Sequence, residues 1–130
     1  METYTRSSLL LSWMLVVVWI GVILASSLIP SSMIGRFDVS MARMDWAMHA
    51  LSYAVLAILL VRAFEASGVG AIFAGLLSIV TVLILGGGVE VAQPVAGRSG
   101  EVVDWLADGV GAVVALGVRA AWRSLAAEPA

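Results

Sequence analysis

Apolar residues run almost unbroken through most of the chain, in stretches too long for the interior of a small soluble domain. Leu9 to Ile29 is nearly pure hydrocarbon. Trp46 to Phe64 is interrupted by His49, Ser52, Tyr53 and Arg62, and Val69 to Val89 carries no charge. Val102 to Ala121 is the weakest run, broken by Asp104, Asp108 and Arg119. A membrane-spanning helix needs about 20 mainly apolar residues. The pattern therefore predicts an all-α integral membrane bundle of four transmembrane helices, at residues 9–29, 45–64, 69–93 and 101–122 of one domain covering 1–130. The first run exceeds the roughly 7–15 residues of a signal-peptide core, so it is expected to stay as an anchor despite small residues at Ala25, Ser26 and Ser27.

The connections differ in character. Pro30 to Met44 is a long loop opened by Pro-Ser-Ser, Glu65 to Gly68 is a short turn, and Pro94 to Gly100 reads PVAGRSG. Proline cannot continue a helix, and the glycines there permit a reversal. Residues 124–130 are expected to fray. Within the helices, GVGAVVALG in the fourth is a small-residue stretch that lets backbones approach closely in lipid. Gly86, Gly87 and Gly88 near the end of the third are expected to serve close packing, with a local bend as the alternative.

The polar exceptions carry the chemistry. An aspartate at the centre of a membrane helix costs roughly 2.5–3.5 kcal/mol on insertion scales unless it is paired, hydrated or liganded. At about 100° per residue, Asp45, His49 and Tyr53 fall within about 80° of one another, a stripe about 12 Å long at the start of the second helix. Asp104, Asp108 and Gly111 share one face of the fourth helix, and Glu90 and Gln93 are neighbours at the end of the third. The up-and-down order puts all three groups at the same end of the bundle. Asp45 and Asp104 sit at helix N-termini, where the dipole favours an anion, whereas Glu90 sits at a C-terminus and needs a partner, for which Arg98 is the expected choice. Crowded carboxylates either share protons or hold a cation.

Composition supports membrane residence and excludes several classes. The chain is 62% hydrophobic and 12% charged, against about 45–50% and about 25% for a soluble domain. Its mean hydropathy is +1.05. Cysteine is absent, which removes disulfide and thiol chemistry, and no basic tract would track nucleic acid. There is no HExxH, no pair of histidines for zinc, no phosphate loop and no nucleophile elbow. All seven basic residues are arginine. With the N-terminus inside, Arg6, Arg62, Arg119 and Arg123 outnumber Arg36, Arg43 and Arg98, so both termini are expected in the cytoplasm and the polar groups at the extracytoplasmic surface.

The ordered set of motifs resembles the VanZ-like family of membrane proteins linked to teicoplanin resistance. The stretch DWAMHALSY supplies Asp45, His49 and Tyr53, EVAQ supplies Glu90 and Gln93, and Arg98 stands in the loop. DWLADGVG supplies Asp104, Asp108 and Gly111. The resemblance covers roughly residues 10–120; Trp46 stands where the family often has lysine, and Asp108 where it usually has asparagine. It implies a small envelope protein of the bacterial cytoplasmic membrane and no settled reaction.

The expected function is a polar site at the outer leaflet that takes the headgroup of a membrane lipid or lipid-linked envelope precursor. His49, Asp45, Glu90, Asp104 and Asp108 are the candidates for acid–base chemistry, and Tyr53, Gln93, Arg98 and Arg43 for ligand contacts. A divalent cation, if held, is expected on Asp45, Asp104 and Asp108. The alternative is a non-enzymatic membrane module, with or without self-association, whose polar cluster only locks the helices together. A transporter ranks third, because four helices form a pathway only as an oligomer.

Overall fold

The structure, a computed structural model, describes residues 6–29 and 42–127, the side chains of 42–45 excepted. It is all-helical over those residues, with α1 at Arg6–Ser27, α2 at Ala42–Ala66, α3 at Ala71–Ala92 and α4 at Val102–Ala126. Three of the helices are long and apolar enough to cross a membrane: Arg6–Ser27, Trp46–Ala66, and Ala71–Ala96, the last including a short 3-10 turn at Gln93–Ala96. α4 extends well into the tail expected to fray, and α2 begins before Asp45.

The connections follow local chemistry. After α2, Gly68 takes a φ of 86°, which an L side chain rarely adopts, and its N–H donates to Glu65 O at 2.9 Å. After α3, Pro94 enters the 3-10 turn at a position needing no N–H donor, and Gly97 closes it with a φ of 71°. α3 stays helical through Gly86, Gly87 and Gly88. Gly86 and Gly87 serve close packing: Trp105 of α4 lies against both and donates its indole N–H to Leu83 O at 2.9 Å.

The central contact joins α2 to α4. Gly111 lies directly on the Ala50 carbonyl, an approach only a glycine allows. Tyr53, Leu56, Ala57, Leu60, Val82 and Ala112 form the buried core beside it. α1 packs more loosely against α2, through Trp13 edge-on to Phe64 and the Trp19 indole N–H donating to Ser52 O at 2.9 Å.

α4 explains its own weak hydropathy. Asp104 and Asp108 are turned into the bundle, while Arg119 and Arg123 reach Glu65 of α2 at 2.7 and 2.8 Å. The helix's exposed side carries Val103, Leu106, Val110, Val113, Val118 and Trp122. The triad of Glu65, Arg119 and Arg123 is partly exposed, which discounts its strength. Glu65→Gln is expected to lower the unfolding midpoint in an SDS titration, by about 1–2 kcal/mol, between the exposed and fully buried cases.

Candidate functional site

At the opposite end from Glu65, three helices bring polar side chains together. α2 supplies His49 and Tyr53 one turn apart, their rings stacked at 6.4 Å. α3 supplies Glu90 in its last turn, and α4 supplies Asp104 in its first turn and Asp108 one turn deeper. His49 is the hub. Its Nδ1–H donates to Asp108 Oδ1 at 3.0 Å, and the same nitrogen lies 3.9 Å from Glu90 Oε1. On the other side of the ring, Nε2 lies 3.9 Å from Asp104 Oδ2. Two ring nitrogens are thus flanked by three carboxylates.

Backbone packing holds the carboxylates in place. Asp108 Oδ2 rests on Gly86, in space that a Cβ would occupy. Glu90 Oε2 accepts the Glu101 backbone N–H at 2.6 Å, so the α3 carboxylate satisfies a donor where α4 begins. The Gln93 amide nitrogen, oriented toward them, donates to Glu90 Oε2 at 3.1 Å and Ser99 O at 3.2 Å. Gly100 lies against the Glu90 carbonyl, which fixes the returning loop to the end of α3.

Three buried polar atoms in this region have no hydrogen-bond partner among the described residues: Tyr53 Oη, Glu90 Oε1 and Asp108 Oδ2. Tyr53 is 1% exposed and Asp108 0%. A buried unsatisfied group costs about 1–3 kcal/mol, more when charged. The Tyr53 hydroxyl lies within electrostatic reach of both Asp108 and Glu90, so the orphaned atoms belong to one neighbourhood.

A cavity of about 230 Å³ opens beside the cluster, between α1 and α2. It is lined by His49 and Tyr53, by Ser26, Ser27 and Ser52, by the apolar Ile23 and Met48, and by Arg98. Arg98 Nη1 donates to Ser26 O at 3.3 Å. The expected Glu90–Arg98 ion pair is not among the contacts: the loop carries Arg98 across to α1, while Glu90 turns back to Gln93 and Glu101.

The sequence-derived set therefore divides. His49, Tyr53, Glu90, Gln93, Asp104 and Asp108 converge, and Arg98 helps line the adjoining cavity. The Asp45 and Arg43 side chains lie outside the described residues. Among the described residues, the ligand atoms that cluster within 4.8 Å of one another come from His49, Glu90 and Asp108; the cation set expected on Asp45, Asp104 and Asp108 includes a side chain outside them. Asp104 faces the far side of the imidazole. The contribution of α1 was missed. Its Ser26-Ser27 pair, at the same end as the other polar groups, was the available signal. No family model, curated protein or solved structure matches the chain.

Proposed function

We propose that this protein is a four-span envelope membrane protein whose polar end binds the anionic headgroup of a lipid or lipid-linked envelope precursor. The observation that carries the proposal is the cavity of about 230 Å³ lined together by Arg98, three serines, His49 and Tyr53. At about 30 Å³ per water it has room for some seven waters. That suits a phosphate with part of its substituent, and leaves acyl or prenyl chains outside against the bundle. A guanidinium in its lining carries paired N–H donors suited to a phosphate.

The membrane reading extends to α4. At about 1.5 Å per residue its 25 residues reach roughly 37 Å, enough for a hydrocarbon core of about 30 Å. Its charges are turned toward other helices and its outward side is apolar. Arg6, Arg62, Arg119 and Arg123 favour cytoplasmic termini, which places the cavity at the outer leaflet. The motif set shared with VanZ-like proteins supports a role in the bacterial cell envelope and in the response to glycopeptides such as teicoplanin.

Native mass spectrometry of the full chain with added phosphatidylglycerol or polyprenyl phosphate tests the headgroup site. The unaltered protein is expected to retain one phospholipid or polyprenyl phosphate. Arg98→Ala should weaken retention about tenfold, Arg98→Lys less, and Arg6→Ala at the other end not at all. Equal retention by Arg98→Ala and the unaltered protein would reject the cavity as the headgroup site.

A further inference from the structure

We infer that His49, Glu90 and Asp108 form a binding site for one divalent transition-metal ion, with Tyr53 beside it and Asp104 behind the imidazole. The inference goes beyond headgroup binding and does not depend on it. One ligand atom from each of the three residues lies within 4.8 Å of the other two. Nδ1 of His49 is 3.0 Å from Asp108 Oδ1 and 3.9 Å from Glu90 Oε1. Donors that touch a common ion at about 2.1 Å lie about 3–4 Å apart, so an ion needs only small side-chain shifts.

Clustered acids alone would not establish a site. The independent observation is the buried polar atoms left over. Glu90 Oε1, the oxygen facing His49 Nδ1 at 3.9 Å, is a buried atom with no hydrogen-bond partner among the described residues. The Tyr53 hydroxyl and Asp108 Oδ2, the latter against Gly86, share that condition in the same neighbourhood. The charge points the same way. Among the described residues, the imidazole is the only cationic group within ion-pair distance of Glu90 or Asp108. Two carboxylates around one imidazole, Asp108 buried and Glu90 half-buried, leave negative charge uncompensated, and a divalent ion supplies what is missing.

The far side of the ring fits this assignment. A metal-bound histidine commonly donates its other N–H to a carboxylate, which fixes the tautomer and the ring orientation. Here Asp104 Oδ2 faces Nε2 at 3.9 Å while Nδ1 faces the ligand set. On metal binding, the proton between Nδ1 and Asp108 would leave, and a ring proton on Nε2 would face Asp104. One imidazole with hard oxygens suits Mn²⁺ or Zn²⁺ better than the all-oxygen environments of Ca²⁺ and Mg²⁺.

The test uses the full-length protein in detergent, stripped with chelator and titrated with Mn²⁺ without added lipid, the bound ion being followed by electron paramagnetic resonance. One Mn²⁺ per chain is expected, displaced by Zn²⁺, with pulsed spectra showing the coupling of a directly bound imidazole nitrogen. His49→Ala, Glu90→Gln and Asp108→Asn should each weaken binding more than tenfold, and Asp104→Asn by about tenfold as an orienting partner. Glu101→Gln, an exposed acid nearby, should bind as the unaltered protein does. Absence of the nitrogen coupling in the unaltered protein would overturn the assignment even if every variant misfolded, as would Mn²⁺ binding indifferent to all three ligand substitutions. Because no lipid is added, failure here leaves the headgroup site standing, and failure of lipid retention leaves the metal site standing.

Discussion

Gly111→Ala is expected to destabilise the protein by about 3 kcal/mol or more, at the upper end of what added methyl groups cost in packed interiors. A Cβ at this position collides with the Ala50 carbonyl oxygen and lies 2.7 Å from its carbon and 2.9 Å from Ala50 Cα. Those are main-chain atoms of a helix, so no rotamer change relieves the clash. α2 and α4 must move apart, along the contact that carries the buried core and sets His49 against Asp108. The substitution should therefore lower the SDS or thermal unfolding midpoint and abolish Mn²⁺ binding together. Gly117 on the same helix and Gly75 on α3 have nothing within 4 Å of a built Cβ. Gly117→Ala and Gly75→Ala are expected to be neutral or to stabilise by up to about 1 kcal/mol through helix propensity. An unfolding midpoint for Gly111→Ala equal to theirs would show that the two helices are not held as closely as the structure has them.

The same contrast shows what the sequence made legible. The apolar runs predicted four helices and their order because hydrocarbon length is read directly from residue type. The convergence of His49, Tyr53, Glu90, Gln93, Asp104 and Asp108 followed from helix periodicity and alternating direction, which need no knowledge of packing. Partner choice was not legible. Glu90 looked suited to Arg98 by charge, yet the backbone N–H of Glu101 and the Gln93 amide take one of its oxygens, and Arg98 crosses to Ser26. Which carboxylate meets which ring nitrogen depends on the rotation of α4 about its axis, and Gly86 and Gly111 set that rotation through contacts with other helices. The cavity was hidden for a related reason: two serines at the end of an otherwise hydrocarbon helix carry no periodic signal, and they matter only once α1 is seated on α2.

Glu90→Gln is expected to raise the stability of the metal-free protein by about 1 kcal/mol while abolishing its binding function. This sign separates a ligand site from a structural lock. If the cluster only fastened the helices together, removing a charge from it would loosen them and lower the unfolding midpoint. The geometry argues otherwise. Glu90 and Asp108 both face His49 Nδ1, and with one cationic partner for two anions their mutual repulsion remains. Replacing a buried charge by a neutral group that keeps its hydrogen bonds is often neutral or stabilising. The glutamine carbonyl can still accept the Glu101 N–H now held at 2.6 Å, and its amide N–H can donate toward Asp108, a direction in which Glu90 offers only another anion. The gain should vanish when Mn²⁺ is added, since binding then stabilises the unaltered protein by mass action and not the variant. Asp108→Asn should behave alike with a smaller gain, because its amide nitrogen would rest against Gly86 without an acceptor. A site kept strained for its ligand gains stability when it loses its function. Unfolding midpoints measured in chelator and in Mn²⁺ decide the matter: a fall for Glu90→Gln in chelator would identify the cluster as a lock.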